Sequence, residues 1–325
     1  MTELLSNEAR LTQPIKAIAA NPLISIVTPS FNQAAFIQET LRSVELQHYR
    51  PLHQIVIDGG STDGTVELLQ RWEATDHGPD YAFEWISERD RGHADALNKG
   101  FDRVRGEIVG WLNSDDVYFD RDAVGSVVRA LACHPEVDAV SGDVALISES
   151  SGLQMILCYP QFRYDRALRG YMLAQPAVFL RRAVTDKHRL DPSLRVSIDF
   201  IYWLQIGKQH RFLRIPRILA ADRDQPARIS RVSSAAMKET MTKVYADFEA
   251  PGPQSRTALF LDVLVLRWLR VTAFFRLLPW LKRRDDLAFP MWIDSVRKML
   301  RRQLTMRANN RNSLGPRPSR TDAES

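Results

Sequence analysis

Two hydrophobic periodicities alternate along the first third of the chain. Short apolar runs are typical of strands covered on both faces, and apolar residues recurring every three or four positions are typical of helices. The predicted strands are Leu23–Val27, Ile55–Ile57, Phe83–Ile86 and Ile108–Leu112. A predicted helix follows each strand, at about residues 33–47, 66–72, 94–104 and 123–132. Because parallel strands need a crossover between them, this order predicts an α/β fold, with a mostly parallel sheet and helices on both faces.

The pattern changes after the fourth helix. Two predicted strands, 137–144 and 153–159, follow each other without a full helix between them. A short strand at 177–180, a helix at 198–206 and an extended stretch at 212–221 come next. Since no Ser- or Gly-rich linker interrupts this region, we expect one domain over residues 23–232. Its halves would be residues 23–120 and 121–232, and residues 1–22 would be a flexible extension.

The C-terminal region, residues 233–304, has a third pattern, which is helical and amphipathic. Segments 257–281 and 291–304 are rich in Leu, Val and Trp, with arginines on one side of the predicted helix. A transmembrane helix rarely carries so many arginines, so the pattern favours helices lying in a membrane interface. The alternative is a pair of helices that pack on the domain or on a second subunit. Residues 305–325 are polar and basic and are expected to be disordered.

Charge is concentrated at the C-terminus. The chain has a formal net charge of +5, but the residues from Lys282 onward contain eleven Lys or Arg and only five Asp or Glu. The rest of the chain is therefore close to neutral. This distribution argues against a nucleic-acid-binding face on the domain, and it makes an anionic membrane surface the partner expected for the tail.

The cysteines and the N-terminus indicate a compartment. Cys133 and Cys158 form no CxxC pair, so neither a disulfide framework nor a zinc site is expected. The first ten residues lack the basic and apolar regions of a secretory signal. We therefore expect a cytoplasmic protein, peripheral on the inner face of the cell membrane.

Polar clusters follow the first four predicted strands. The clusters are 28–32, 58–64, 88–92 and 113–116, and Thr28-Pro29-Ser30 is expected to end the first strand. Because the carboxyl ends of parallel strands share one edge of a sheet, the clusters should converge there. The last cluster ends in the adjacent acids Asp115 and Asp116, which are costly to bury unless they are paired or bound to a metal. The alternative is a solvated loop with two surface carboxylates.

The chemistry of these clusters suggests a nucleotide. Carboxylates can bind ribose hydroxyls, a base N–H, or a divalent cation that in turn binds phosphate. Neither a P-loop nor a GxGxxG motif is present. The residues therefore favour a nucleotide that is held through a metal ion.

Four motifs resemble family 2 glycosyltransferases with the GT-A fold, a Rossmann-like fold. They are TPSFNQAAFIQETLRSV, VIDGGSTDGT, SERDRGHADALNKGF and GWLNSDD, which is DXD-like, and the resemblance covers about residues 23–232. It implies a nucleotide-sugar donor, most naturally a UDP-sugar, and a divalent metal, Mg²⁺ or Mn²⁺. By resemblance, the donor site would comprise Thr28, Pro29 and Phe31 beside the base, Asp58 accepting a hydrogen bond from it, Asp90 and Asp115 at ribose or sugar, and Asp116 on the metal.

In the second half, the resemblance concerns the site that would bind the acceptor. The segment from Gln175 to Phe179 resembles one near the donor sugar and acceptor, and Asp199 stands where the family has its catalytic base. The alternative role of Asp199 is a helix N-cap. One departure is Gln225, which stands where relatives often have a histidine that binds metal or diphosphate. Arg223, Arg228 or Arg231 could supply the missing positive charge.

The expected function is inverting transfer of a sugar to a hydroxyl of a glycan or lipid-linked acceptor, in cell-surface polysaccharide biosynthesis. His93 is expected to make a local hydrogen bond rather than to bind the metal. Two alternatives are a sugar nucleotidyltransferase and a non-catalytic nucleotide-sugar-binding scaffold. The former usually has a Gly-rich loop with basic residues after the first strand, which is absent from Thr28–Gln33.

Overall fold

A computed structural model describes residues 18–169, 173–225, 248 and 287–288. The strands are β1 Ile24–Ser30, β2 Leu52–Asp58, β3 Tyr81–Ser87, β4 Ile108–Trp111, β5 Val117–Tyr118, β6 Ala139–Ser148, β7 Leu153–Leu157, β8 Val178–Arg181 and β9 Phe212–Asp224. The helices are α1 Ile37–Glu45, α2 Thr65–Glu73, α3 His93–Phe101, α4 Ala123–Cys133, α5 Tyr164–Ala167, α6 Arg182–Lys187 and α7 Ile198–Gly207, and a 3₁₀ turn covers Gln175–Ala177.

The nine strands of the described residues belong to one sheet. The order is β3-β2-β1-β4-β8-β6-β9-β5, and β7 pairs with β6. The first four strands are parallel to one another, with β1 between β2 and β4. The predicted parallel arrangement is therefore confirmed for the first half, and the carboxyl ends of these strands lie along one edge.

The second half is mixed. β8 runs antiparallel to both β4 and β6, whereas β9 runs parallel to β6. Half of the eight strand pairings are therefore antiparallel. The α/β fold class is confirmed, and its parallel character comes from the first half.

The first strand extends further than predicted. Thr28-Pro29-Ser30 was expected to end β1, but these residues continue it and pair with Val56, Ile57 and Asp58 of β2. The expectation fails because a strand tolerates proline, which lacks an N–H, where no neighbouring strand would accept that hydrogen bond. The Val27 carbonyl accepts a bond from the Leu112 amide, so the backbone of Val27 faces β4. Backbone groups two residues apart face the same side, so the nitrogen of Pro29 also faces β4. There β4 ends at Trp111, so no ladder bond is lost.

Helices cover both faces of the sheet, as predicted. On one face, apolar residues of α1 and α4 pack on the sheet, among them Val44, Val124 and Val127. On the other, α3 and α7 pack on the sheet through residues such as Leu97 and Trp203. The alternating strand residues of β1 show this division, because Ile26 belongs to the first layer and Val27 to the second.

The C-terminal half of the sheet contains two features that the sequence did not predict. The two-residue strand β5 follows the Asp115-Asp116 pair and pairs with β9. β9 continues through Pro216, but it bulges there, because Ser141 pairs with Arg214 and Asp143 pairs with Ile218. A Cβ atom at Gly142 would lie 2.5 Å from the side chain of Leu219, so this close approach requires glycine.

Several predictions lie wholly or almost wholly outside the described residues. They concern most of the N-terminal extension, the helical region 233–304 and the tail 305–325. Within 233–304, Phe248 packs near α7, and Leu287 and Ala288 lie beside β5. In the described part of the chain, no helix is long and apolar enough to cross a membrane.

Candidate donor site at the sheet edge

The first two strand ends form a continuous hydrogen-bonded wall. Asn32 adopts a left-handed conformation with φ 52°, and its side chain accepts a hydrogen bond from the Thr62 amide at 2.9 Å. Asp63 accepts bonds from the Ala34 amide and from the amide and hydroxyl of Thr65. Burial alone would raise the pKa of Asp63, but these hydrogen bonds hold it below its usual value. Asp63 therefore fixes the β1 loop against the β2 loop, a role that the sequence did not reveal.

Phe31 stands at the end of β1 with 60% of its surface exposed, the one exposed large apolar side chain among the described residues. Thr28 and Pro29, which were expected beside the same base, are buried within β1. The hydroxyls of Thr28 and Ser30 are buried and have no hydrogen-bond partner among the described residues. Phe31 is thus the member of the predicted trio whose ring can stack on a base.

A narrow cradle lies between Phe31 and Asp90. A Cβ atom at Gly59 would lie 2.8 Å from Asp90 Oδ2 and 3.3 Å from the Phe31 ring, so the gap admits only glycine. Asp90 Oδ1 accepts the Gly92 amide at 2.8 Å, which orients the carboxylate. The structure therefore brings together Phe31 and Asp90, which the sequence placed 59 residues apart.

Asp58 lies fully buried below this cradle. One of its oxygens accepts the amides of Gly60 and Ser61 and the hydroxyl of Ser87, and the other accepts the Ser61 hydroxyl. Oδ2 accepts three of these bonds and Oδ1 accepts one, so Oδ1 keeps acceptor capacity for a further donor. The role of Asp58 in base recognition stays a prediction.

The two adjacent aspartates have different surroundings. Asp116 is 3% exposed, and its oxygens accept the Arg223 amide at 3.0 Å and the Asn113 side chain at 3.4 Å. Asp115 is less buried, and its Oδ2 accepts the Gln225 side-chain amide at 2.6 Å. Asp116 therefore joins β9 to the end of β4, whereas Asp115 carries the more accessible carboxylate.

Asn113 connects the elements around these acids. Its Oδ1 accepts bonds from Trp111 Nε1 at 2.8 Å and from His93 Nε2 at 3.1 Å, and its Nδ2 donates to Gln175 Oε1 at 2.9 Å. The Gln175 amide in turn donates to the Trp111 carbonyl. Asn113 thus links β4, α3 and the 3₁₀ turn, a role that its position in the NSDD motif did not disclose.

His93 makes the local hydrogen bond that the sequence analysis expected. Its partner oxygen on Asn113 already accepts the Trp111 indole N–H, so His93 donates from Nε2. Burial lowers the pKa of His93 to about 4, although Asp115 and Asn113 act in the opposite direction. His93 is therefore a neutral imidazole near neutral pH.

Arg223 occupies a structural position. Its guanidinium is buried and donates to Glu39 Oε2 at 2.7 Å, to Ser151 Oγ at 3.0 Å and to the carbonyls of Asp115 and Glu149. Its donors are turned to the protein, so Arg223 offers no hydrogen bond to a diphosphate, and electrostatic compensation for the missing histidine stays a prediction. Arg228 and Arg231, the other candidates for that role, lie outside the described residues.

Asp199 lies in the first turn of α7 and is half-buried. The N-cap of α7 is Ser197, with φ 55°, so the alternative role of Asp199 as the N-cap is wrong. The helix is held against the donor half because Trp203 packs on Trp111, with ring centroids 6.3 Å apart. Asp199 therefore belongs to an element that contacts β4, and its role as base stays a prediction.

The donor atoms at this edge suit a hard divalent cation. Among the described residues, no three His, Cys, Asp or Glu side chains converge as a ready metal cage. Mg²⁺ and Mn²⁺ are typically bound by one or two carboxylates together with substrate phosphates and water. Asp115 and Asp116 match that pattern, so the residues present fit a metal that arrives with a diphosphate.

Sequence comparisons place this edge within a known family model. Residues 25–173 match the model described as glycosyl transferase family 2. A putative teichuronic acid biosynthesis glycosyltransferase of Bacillus subtilis is 28% identical over 189 residues, which are 58% of this chain and 73% of that protein. A PGL/p-HBAD biosynthesis glycosyltransferase of Mycobacterium bovis is 30% identical over 167 residues, 51% of this chain and 61% of the relative. An uncharacterized glycosyltransferase of Mycobacterium tuberculosis is 39% identical over 112 residues, 34% of this chain and 40% of the relative.

Solved structures share the fold. A mannosyltransferase from Pyrobaculum calidifontis, in complex with GDP-Man and Mn²⁺, has a TM-score of 0.54 and 20% identity, covering 86% of this chain and 82% of that chain. TarS from S. aureus, residues 1–349 in complex with UDP-GlcNAc, has a TM-score of 0.53 and 14% identity, covering 72% and 68%. At these identities the likeness concerns the fold.

Proposed function

We propose that this chain, which belongs to the family 2 glycosyltransferases and has the GT-A fold, transfers a sugar from a UDP-sugar to an acceptor hydroxyl with inversion. The observation that carries the proposal is the cradle at the sheet edge. It brings an exposed aromatic ring, a glycine and Asp90 together beside the end of β4, where Asp115 and Asp116 lie. In this order, the groups suit a base on the aromatic ring, a ribose at Asp90 and a metal-bound diphosphate at the two aspartates.

The donor would lie across the carboxyl ends of the first four strands. Phe31 would stack on the base, with Thr28 and Pro29 forming the floor beneath it. Asp90 and Asp115 would contact ribose or sugar hydroxyls, and Asp58 would accept the base N–H. Support for a nucleotide-sugar comes from the fold neighbours, whose structures contain GDP-Man and UDP-GlcNAc.

Asp116 would bind Mg²⁺ or Mn²⁺ together with the diphosphate. The metal would supply charge neutralisation as the diphosphate leaves. The protein supplies rigid placement, because the Arg223 amide and the Asn113 side chain hold the Asp116 carboxylate. Support for a metal comes from the Mn²⁺ in the mannosyltransferase neighbour.

Asp199 would remove the proton from the acceptor hydroxyl as its oxygen attacks the anomeric carbon. The hydroxyl oxygen forms the new glycosidic bond, the bond to the diphosphate breaks, and the proton passes to the carboxylate. One carboxylate suffices for a single displacement with inversion. The contact between Trp203 and Trp111 keeps the helix that carries Asp199 against the donor half.

The acceptor would be a glycan or lipid-linked sugar of the cell surface. This follows the printed roles of the relatives in teichuronic acid and PGL/p-HBAD biosynthesis. The matched region spans less than two thirds of the mycobacterial relatives, so their whole activities come to this chain only as part of this proposal. The basic C-terminal region would hold the enzyme at the cytoplasmic face of an anionic membrane.

Nucleotide release tests this function. The full chain is incubated with Mn²⁺, a panel of UDP- and GDP-sugars and a cell-wall glycolipid extract, and nucleoside diphosphate release is measured for wild type and Asp116→Ala. We expect acceptor-dependent UDP release that the variant loses. Equal release by both proteins would overturn the metal assignment, and release from GDP-sugars alone would overturn the uridine assignment.

The same assay separates the alternatives. A non-catalytic scaffold would bind UDP but give no acceptor-dependent release. A sugar nucleotidyltransferase would release pyrophosphate from a nucleoside triphosphate and a sugar phosphate. The turn after β1 lacks the Gly-rich, basic loop of that second class, so transfer of the sugar is favoured.

A further inference from the structure

The segment between α6 and α7, residues 188–197, lies along α3. Asn98, in the middle of α3, makes two hydrogen bonds to the backbone of Leu190. Its Nδ2 donates to the Leu190 carbonyl at 2.8 Å, and its Oδ1 accepts the Leu190 amide at 3.0 Å. At the C-terminal end of α3, Asp102 pairs with Arg189 at 2.8 Å. The segment therefore starts beside the end of α3 and runs back along the helix.

Arg195 fixes the far end of this segment at the start of α3. Its Nη1 donates to the carbonyls of Arg91 and Pro192. A Cβ atom at Gly92 would lie 2.8 Å from the same nitrogen, so the guanidinium lies directly against the Gly92 backbone. Because Gly92 is the N-cap of α3, the segment is attached at both ends of this helix.

Apolar side chains hold the segment between two helices. Leu190 is buried in the cluster that contains Leu97 of α3 and Tyr202 of α7, and Leu194 packs against the same cluster. The Tyr202 hydroxyl donates to the His188 carbonyl at 3.2 Å. Since both helices contact the segment, its position affects that of α7 relative to α3.

The peptide group between Arg91 and Gly92 has two partners. Its carbonyl accepts a bond from Arg195, and its N–H donates to Asp90 Oδ1 at 2.8 Å. Both groups belong to one planar unit, so they keep a fixed orientation to each other. A hydrogen bond to the carbonyl also polarises the N–H and strengthens its bond to the carboxylate. One peptide group thus connects Asp90 to a residue four positions before Asp199.

We propose that Arg195 is a positioning residue for sugar transfer. Through the Arg91–Gly92 peptide it holds the first turn of α7, which carries Asp199, at a fixed place relative to Asp90. This role rests on the proposed function, in which Asp199 is the base and Asp90 contacts the donor. A displacement of about 1 Å between reacting groups can lower a rate by about 100-fold, so a residue that touches neither substrate can still control kcat.

Steady-state kinetics of the full chain test this role. Arg195→Met should lower kcat for sugar transfer by about 30-fold, while the KM for the UDP-sugar changes by about threefold or less. Arg195→Lys should recover kcat to within about fivefold of wild type, because an ammonium group can still donate to the Arg91 carbonyl. Arg91→Met is the matched control. It should keep the wild-type kcat, because it removes an exposed side chain and leaves the carbonyl in place.

A double-mutant cycle separates positioning from a general structural role. If Arg195 acts through Asp199, Arg195→Met should change kcat by less than about twofold in the Asp199→Asn background. A merely structural role would lower kcat by the same factor in both backgrounds, and that outcome would overturn the proposal. A wild-type kcat in Asp199→Asn alone would remove the base from the proposed function and the positioning role with it, so the two failures are distinguishable.

Hydrogen exchange tests the attachment of the segment without relying on activity. Arg195→Met should raise amide exchange at residues 189–201 by about threefold or more, whereas Arg91→Met should not. β1 and α1 are internal references and should stay unchanged in both variants. Unchanged exchange at residues 189–201 in Arg195→Met would show that Arg195 does not hold the segment, and the positioning role would be wrong.

Discussion

The two halves of the sheet satisfy their buried polar groups in different ways. In the donor half the partners are mostly local or on adjacent loops, as for Asp58, which is bonded by Gly60, Ser61 and Ser87. In the second half, buried charges find partners far along the chain. Arg214 binds Asp143 across 71 positions, Arg217 binds Asp120 across 97, and Arg223 binds Glu39 across 184.

Loop residues of the proposed donor site in the first half therefore contribute little to stability, whereas the long-range contacts of the second half reach residues of the proposed site as well. Phe31 and Asp90 project from loops whose polar groups are mostly hydrogen-bonded within the loop or to an adjacent loop. We therefore expect that both residues can be changed without unfolding the domain. Asp116 and Arg223, in contrast, are bonded to each other across the two halves, so a change at Asp116, the proposed metal ligand, also removes a contact of the fold. The predictions below test this contrast, from the largest effect to the smallest.

The catalytic assignment gives the largest expected effect. Asp199→Asn should lower kcat by about 10³-fold, because the acceptor hydroxyl loses its base, while donor KM stays nearly constant. Steady-state kinetics measure both parameters. Asp191→Asn, in the exposed loop before α7, is the control and should retain full kcat. A variant at Asp199 with wild-type kcat would remove the base assignment.

The buried arginine of the second half should dominate stability. Arg223→Met should lower the free energy of unfolding by about 3–5 kcal/mol, because Glu39 and several carbonyls lose their partner. The control Arg129→Met breaks an exposed pair with Asp122 and should cost about 1 kcal/mol or less. Urea unfolding of both variants measures the difference. Equal losses would contradict the structural role assigned to the buried arginine.

The adjacent aspartates should separate when they are truncated one at a time. Asp115→Ala should lower activity by about 100-fold with little change in unfolding free energy, because its carboxylate is the more accessible one. Asp116→Ala should lower activity and also lower the unfolding free energy by about 1–3 kcal/mol, because the buried Arg223 amide loses its acceptor. If both variants keep wild-type stability, Asp116 has no structural role.

The aromatic pair Phe31 and Phe36 provides a smaller test of the same contrast. Phe31→Ala should weaken nucleotide binding by about tenfold without destabilising the protein, since a stacked base contributes about 1–3 kcal/mol. Phe36 lies under the Arg223 guanidinium at 5.0 Å, so Phe36→Ala should reduce stability and leave nucleotide affinity unchanged. Calorimetric titration and urea unfolding separate the two effects, and a reversed result would refute the placement of the base.

The smallest effect concerns pH. Burial, with His210 and Lys187 nearby, lowers the pKa of His188, whose Nε2 lies 3.0 Å from His210 Nε2. The unfolded chain therefore binds a proton more readily than the folded chain, and stability should fall as pH drops below about 6.5. Thermal unfolding from pH 8 to 5 should show a weaker pH dependence for His188→Asn than for wild type. Identical curves would show that this pair does not contribute.

The donor edge could be predicted because its signals are local. Apolar runs that end in turn residues placed four strand ends together, and the order of the motifs suggested their roles. The extension of β1 through Pro29 was missed because it depends on where β4 ends. The bond from Arg223 to Asp116 joins residues 107 positions apart, so it cannot be predicted from a local stretch of the sequence. The same holds for the bonds that join Asn113 to His93 and Gln175, which lie 20 and 62 positions away.

Calorimetric titration of UDP into the full chain, with and without Mn²⁺, tests the central claim most directly. The account predicts one UDP site whose affinity requires Mn²⁺, is weakened by Phe31→Ala and is lost in Asp116→Ala. Metal-independent binding that is unchanged in both variants, or no binding of UDP under any condition, would contradict a metal-held nucleotide at the carboxyl edge of the sheet.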